Sequence, residues 1–218
     1  QIHQSIRTAR QHADFVVVAI HSHECSRHCD DDAAPRGAAD FLKELARGAI
    51  DSGADLFITS GNHNLGAVEI HEAPGRGPRP IFYGLGNFFW SDVQELLPHD
   101  LYRGNRRLLE ESWVQPGKAT PYDLTAPLNQ AAFAHEFTFE SVVARCRFKG
   151  NRLLQIELHP LELGYGSRLL LSGTPRRVSD PARAAAIVGQ VAARTLELGL
   201  PPLQISWKGT TALVSPRK

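Results

Sequence analysis

Gly53-Ala54-Asp55-Leu56-Phe57-Ile58-Thr59-Ser60-Gly61-Asn62-His63 carries the reading that decides the fold. An apolar run, 54–58, leads into a small, polar loop that ends on a histidine. The same grammar occurs upstream, where the run Phe15-Val16-Val17-Val18-Ala19-Ile20 stops at His21-Ser22-His23-Glu24. A continuous, β-branched run of this kind reads as a central parallel strand covered on both faces. Between the two runs, Phe41, Leu42, Leu45, Ala46, Ala49 and Ile50 recur at three- and four-residue spacing. That spacing predicts a helix over 38–52, closed by Gly53 in the C′ position. Strand, loop, helix and strand make one right-handed parallel unit. Both loops then leave the sheet at the same edge, where sites of open α/β folds form. His21 and His63 are therefore candidate metal ligands, imidazole being the commonest metal donor. His23 and Glu24 fall within reach of the same point as ligand or proton-transfer group. Asn62 and Asn87 sit in the adjoining turns as candidate substrate-binding residues, an amide being able to orient a ligand or to hold the turn.

Outward from this unit, residues 4–12 read as a short amphipathic helix and 67–71 and 80–84 as two further strands. Pro74-Gly75-Arg76-Gly77-Pro78 is the turn between those strands. Residues 91–135 are irregular and proline-bearing, and predict an outer flap. Residues 141–148 and 152–159 alternate apolar and polar side chains around Lys149-Gly150-Asn151, a hairpin signature. Val142, Ala144, Cys146 and Phe148 share one face of it, and Leu154, Ile156 and Leu158 a face of the partner strand. Ser179-Asp180-Pro181 opens a helix running to about residue 197, with Gly199 after its end. A last hairpin spans 203–214. The expected class is mixed α/β (α+β), a two-sheet β-sandwich flanked by helices. One domain covers 1–218: an α/β part with the site loops over 1–90, the flap, then antiparallel hairpins and the C-terminal helix over 136–218.

Composition narrows the function. The chain has 218 residues, 42% of them hydrophobic and 22% charged, with a formal net charge of +1. Nothing in that balance points to nucleic acid or a polyanion surface. No run approaches the ~18 apolar residues that a membrane-spanning helix needs. Residue 1 is Gln and the chain lacks methionine, which predicts a fragment whose N-terminal part is missing; a processed product is the alternative. Three cysteines, Cys25, Cys29 and Cys146, argue against a full disulfide framework. Cys25 and Cys29, with His28, make either a polar surface loop or a Zn²⁺ staple.

The string 53–58, then His63, Glu69 and Pro80-Ile81-Phe82-Tyr83-Gly84-Leu85-Gly86-Asn87-Phe88, resembles the capsule-synthesis (CapA-type) proteins, also called poly-γ-glutamate biosynthesis proteins. Ile20-His21-Ser22-His23-Glu24 looks like the histidine motif that precedes it in that family. The resemblance covers most of the chain and is strongest over 13–90. It implies a fold like the calcineurin-type metallophosphoesterases, N-terminally truncated here, with a two-metal site at the sheet edge. It also implies divalent cofactors such as Mn, Fe or Zn. The implied partners are an acidic polymer or a small phosphoester or amide substrate, other capsule-synthesis proteins, and the missing N-terminal part of the same chain; the implied location is the cell envelope. One departure stands out. Where the family commonly has Gly-His-x-Pro-His, this chain has Thr59-Ser60-Gly61-Asn62-His63, so Ser60 replaces a ligand histidine. Two readings follow: a metal-dependent hydrolase, or a non-catalytic polymer-binding component whose metal site is degenerate.

Overall fold

The computed structural model describes residues 1–26, 37–89, 98–111, 118–121, 123–124, 135–165 and 173–217. Helix α1 (Ile2–His12) leads into β1 (Val17–His21); α2 (Asp40–Asp51) connects it to β2 (Leu56–Ser60). The hairpin β3 (Val68–Ala73) and β4 (Gly77–Phe82) follows. These four strands form one sheet in the order β1-β2-β4-β3, with β1, β2 and β4 parallel and β3 antiparallel. The carboxyl ends of the three parallel strands therefore share one rim, as the loop grammar required. Gly53 ends α2 with φ at 125° and its N–H on the Ile50 carbonyl.

Two short helices, α3 (His99–Gly104) and α4 (Arg106–Glu111), lie within the expected flap. Much of that flap (90–97, 112–117, 122 and 125–134) lies outside the described residues, as do His28, Cys29 and the acidic run 30–32. A 3-10 turn (Glu136–Phe139) then opens the second sheet. Its strands are β5 (Glu140–Lys149), β6 (Arg152–Glu162), the two-residue β7 (Arg176–Arg177), β8 (Gln204–Lys208) and β9 (Thr211–Ser215), in the path β5-β6-β9-β8 with β7 on β6. Helix α5 (Pro181–Glu197) starts where the sequence placed it. Asp180 caps it by accepting from the Ala182 and Arg183 N–H groups, and Pro181 fills the first turn.

The two sheets share a core with α5: Val68 and Phe82 from the first, with Leu65 from the loop before β3, Ile156, Leu158 and Val214 from the second, and Ile187 and Val191 from the helix. A second core packs α1 and α2 on the other face of the first sheet through Ile6, Ala46, Ala49, Ile50, Phe57 and Ile81. The architecture is thus mixed α/β, with two facing sheets and flanking helices.

Three expectations are corrected. β1 is an edge strand, with Val17 54% and the preceding Phe15 45% exposed. An apolar run does not record which neighbours it acquires, and here Phe15 is covered on one side by the ring of Phe148, 5.2 Å away edge to face. In the second sheet the pairing shifts between Arg147 and Phe148. A bulge changes which side chains face inward, so Leu153 is buried and Leu154 is not. Finally, Cys25 is disulfide-bonded, so it cannot serve as the thiolate of a Zn²⁺ staple. The free thiol, Cys146, is pushed up to about 11 by burial and offers no thiolate either.

Where the chain turns from the second site loop into β3, Gly66 crosses β4 in backbone contact. Its N–H donates to the Gly84 carbonyl at 3.0 Å, and a Cβ there would stand 2.0 Å from the Tyr83 carbonyl oxygen. Gly66→Ala is expected to destabilise the fold by roughly 1–3 kcal/mol, the usual range for overpacking. The midpoint of urea unfolding reads it; an unchanged midpoint would mean that the crossing is slack.

Candidate functional site

The rim at the ends of β1, β2 and β4 gathers most of the residues singled out in the sequence. His21 is the last residue of β1 and pairs in register with Ser60, the last of β2. The Ser22 N–H donates to the Ser60 carbonyl at 2.8 Å, so the two loops begin in backbone contact. Gly61 permits this approach: its φ is 107°, and a Cβ would meet the Ser22 carbonyl oxygen at 2.6 Å. No β-carbon fits there, which is the physical reason for a glycine between Ser60 and Asn62.

Three imidazoles follow one another across the rim. His21 Nε2 is 3.1 Å from His23 Nε2, and the His23 and His63 ring centroids are 5.7 Å apart. On its other nitrogen, His21 Nδ1 lies 3.1 Å from the Ser60 hydroxyl. His63 Nδ1 lies 2.9 Å from Asn87 Oδ1. An amide oxygen can only accept, so Nδ1 carries a proton and Nε2 is the nitrogen left to face a ligand in the neutral ring. Asn87 is itself held the right way round, because its amide NH₂ donates to the Thr138 carbonyl at 3.1 Å. His63 also has φ at 56°, the one non-glycine residue in the left-handed region among the described residues. A side chain held in that conformation carries a local energetic cost, and such positions cluster at functional sites.

The remaining candidates divide. Asn62 donates to the Tyr83 carbonyl at 3.2 Å and is packed beneath Gly84, tying the second loop to the end of β4. Glu24 is exposed beside His23; its N–H donates to the Ser22 hydroxyl. Two contributors escaped the sequence reading. Ser60 stands out in the sequence only as a missing ligand; its role as the hydrogen-bond partner of His21 is visible only in the fold. Thr138 acts through its carbonyl, 51 residues from Asn87, and a backbone group leaves no trace in a sequence. Under the rim, Tyr83 donates to Glu69, which also pairs with Arg47 at 2.7 Å. Burial first, and then the Glu69 charge, raises the Tyr83 hydroxyl, so it stays a neutral donor.

As a donor set the rim is partial. Metal-ligating imidazoles are held through their second ring nitrogen, and here Ser60 and Asn87 engage one nitrogen of His21 and of His63. The three rings are linked in series, and among the described residues no group of three or more His, Cys, Asp and Glu side chains is arranged to hold a metal ion.

Comparison with known proteins adds a family likeness. Residues 1–91 match the model of the bacterial capsule synthesis protein family PGA_cap. Two uncharacterized proteins of Sinorhizobium fredii (strain NBRC 101917 / NGR234), y4sH and y4uA, are each 34% identical over 181 residues, which is 82% of this chain and 37% of theirs. The PGA biosynthesis protein CapA of Bacillus subtilis (strain 168) is 29% identical over 143 residues, 62% of this chain and 34% of CapA. The chain thus spans little more than a third of the length of the curated relatives it matches. The likeness to capsule-synthesis proteins of CapA type is borne out, and the matched residues 1–91 include His21, His23, His63 and Asn87.

Proposed function

From this likeness to capsule-synthesis proteins of CapA type, we propose that the chain serves in capsule or poly-γ-glutamate formation and that its histidine rim is a divalent-metal site. The observation that carries the site is the gathering of His21, His23 and His63 on one sheet edge, with Ser60 and Asn87 orienting two of the rings. His21 and His63 would be ligands. His23 and Glu24 would complete the donor set or move a proton, and Asn62 and Asn87 would wall the substrate. Mn, Fe and Zn all suit imidazole with oxygen donors. When bound, such an ion supplies Lewis-acid polarisation and a water of lowered pKa for ester or amide hydrolysis. The chain's own part is positional: Asn87 fixes the proton of His63 on Nδ1, and Ser60 fixes the ring of His21. The cell envelope is the proposed location. The disulfide at Cys25 supports it, because disulfides persist in oxidising compartments.

A second reading has its own support. Ser60 stands where the family motif has a ligand histidine, and its hydroxyl is engaged with His21. A non-catalytic component that binds an acidic polymer would need no complete metal set. Titration separates the two. His21 Nε2 and His23 Nε2 now face each other, so one donates and one accepts; a metal needs both lone pairs. Adding Zn²⁺ should drive the shared proton onto the Nδ1 of its ring and move both Nε2 ¹⁵N resonances together. Resonances that stay in place at millimolar Zn²⁺ would leave the polymer-binding reading.

A further inference from the structure

The outer face of the second sheet carries a charge that the chain as a whole does not. Residues opposite one another in a ladder share a face, and neighbours along a strand alternate. Ile156, Leu158 and Val214 point into the core, and so do Phe148 and Leu153 beyond the bulge. Arg145, Arg147 and Lys149 of β5, Arg152 of β6, Arg177 of β7 and Lys208 of β8 therefore fall on the other side. Side-chain contacts agree: Arg145 and Arg147 reach Glu157, and Arg177 shares the Thr211 hydroxyl with His159. Among the described residues Glu157 is the one carboxylate on this face, so six cations stand against one anion in a chain of formal net charge +1.

Glu157 neutralises little of that charge. Its oxygens lie 3.4 Å from Arg145 and 3.9 Å from Arg147, whose side chains stay 65% and 56% exposed. Lys149 and Arg152 are exposed cross-strand partners at the turn, where like charges facing each other are unfavourable. The cations are also dispersed. Arg152 opens β6, and Arg177 sits opposite Leu161 near its other end, roughly 30 Å away at ~3.3 Å per residue. Lys208 carries the set across to the edge strand β8.

We infer that this face lies against an anionic lipid bilayer. A small ligand needs its cations converged in a cleft. Cations spread over a broad sheet face match instead a plane of anionic headgroups, where a partner is available at every point. Four of the six are arginines, whose planar fork suits phosphate oxygens. Each basic residue held near such a surface raises partitioning by about fivefold. The face would serve the envelope location proposed above and depends on neither the metal nor the polymer reading.

Co-sedimentation with vesicles at low salt tests it. The chain should bind equimolar phosphatidylglycerol and phosphatidylcholine but not phosphatidylcholine alone, and salt should release it. Lys149→Gln/Arg152→Gln and Arg145→Gln/Arg147→Gln should each weaken partitioning by about tenfold or more. Arg7→Gln/Lys43→Gln, on α1 and α2 behind the first sheet, removes the same charge and should change it by less than about threefold, because attraction fades within a Debye length. Unfolding midpoints check that the variants are folded, and Lys149 and Arg152 are exposed at a turn where glutamine is tolerated. No binding to the anionic vesicles, equal binding to phosphatidylcholine, two unchanged variants of this face, or an equal loss in the control each overturns the inference. Tighter binding of duplex DNA or of poly-L-glutamate than of vesicles at equal anion concentration overturns the bilayer as the partner. The envelope location has its own support in the disulfide at Cys25 and is decided by fractionating the cells, so a failure with vesicles leaves it standing. His21→Ala should bind vesicles as the wild type does, which keeps this outcome apart from that of the metal site.

Discussion

Replacing Asp55 by alanine is expected to destabilise the chain by roughly 3–5 kcal/mol, the range for breaking a buried ion pair by removing one partner. Asp55 is 2% exposed and stands among three guanidinium groups. Its Oδ2 accepts from Arg10 at 2.6 Å and from the Val16 N–H at 2.9 Å. Its Oδ1 accepts from Arg79 Nε at 3.3 Å and from Arg76 at 3.5 Å. Arg79 is 0% exposed and already has one buried nitrogen, Nη2, without a partner. Burial first, and then the charge of Arg79, lowers the Arg76 guanidinium from its ordinary value, yet arginine stays charged in proteins. Removing the carboxylate therefore leaves buried positive charge with no counter-ion. Since whole domains are stable by only about 5–15 kcal/mol, such a loss is a large share. Urea unfolding measures it, and a loss below about 1 kcal/mol would show that water reaches the arginines. Adding Arg79→Met to Asp55→Ala should return part of the loss, because the uncompensated charge goes with it.

That network shows where sequence reading stopped. Asp55 follows Gly53-Ala54 and is legible only as part of a family string; Arg79 falls between the turn 74–78 and the strand 80–84, where no local pattern marks it. Their burial together depends on α1 supplying Arg10 from one side and the β3–β4 turn supplying Arg76 from the other. Local pattern did carry the elements. Helical spacing with a terminal glycine gave α2, the Asp180-Pro181 cap gave α5, and alternation around Lys149-Gly150-Asn151 gave the β5–β6 hairpin. It also gave the shared rim, because parallel strands joined by a crossover must end on the same side. What failed was information held between elements: the edge position of β1, the bulge that exposes Leu154, and the disulfide at Cys25. The site was legible to the same depth. The histidines stand out as residue types at strand ends, but their orientation by Ser60, Asn87 and the Thr138 carbonyl is a tertiary fact.

On the metal reading, that orientation sets a graded outcome for the rim. His21→Ala and His63→Ala each delete a ligand and should lower affinity for Zn²⁺ or Mn²⁺ by about two orders of magnitude or more, beyond the ~10–100-fold typical of an outer partner. Asn87→Ala leaves every imidazole in place but frees the His63 ring and its tautomer, so a loss of ~10–100-fold is expected. Asn87→Asp should recover most of that loss, because a carboxylate oxygen still accepts from Nδ1. Calorimetric titration of the folded chain gives the affinities, and bound metal per chain gives an independent check. The contrast between Asn87→Ala and Asn87→Asp is the discriminating part. If both variants fall alike, Asn87 acts through its amide donation to Thr138 and merely shapes the loop. If neither affects affinity while His21→Ala abolishes it, then His23 is the partner of His21 in metal binding and His63 stands outside the centre. The 3.1 Å contact between the His21 and His23 nitrogens makes that pair the natural core of such a smaller site.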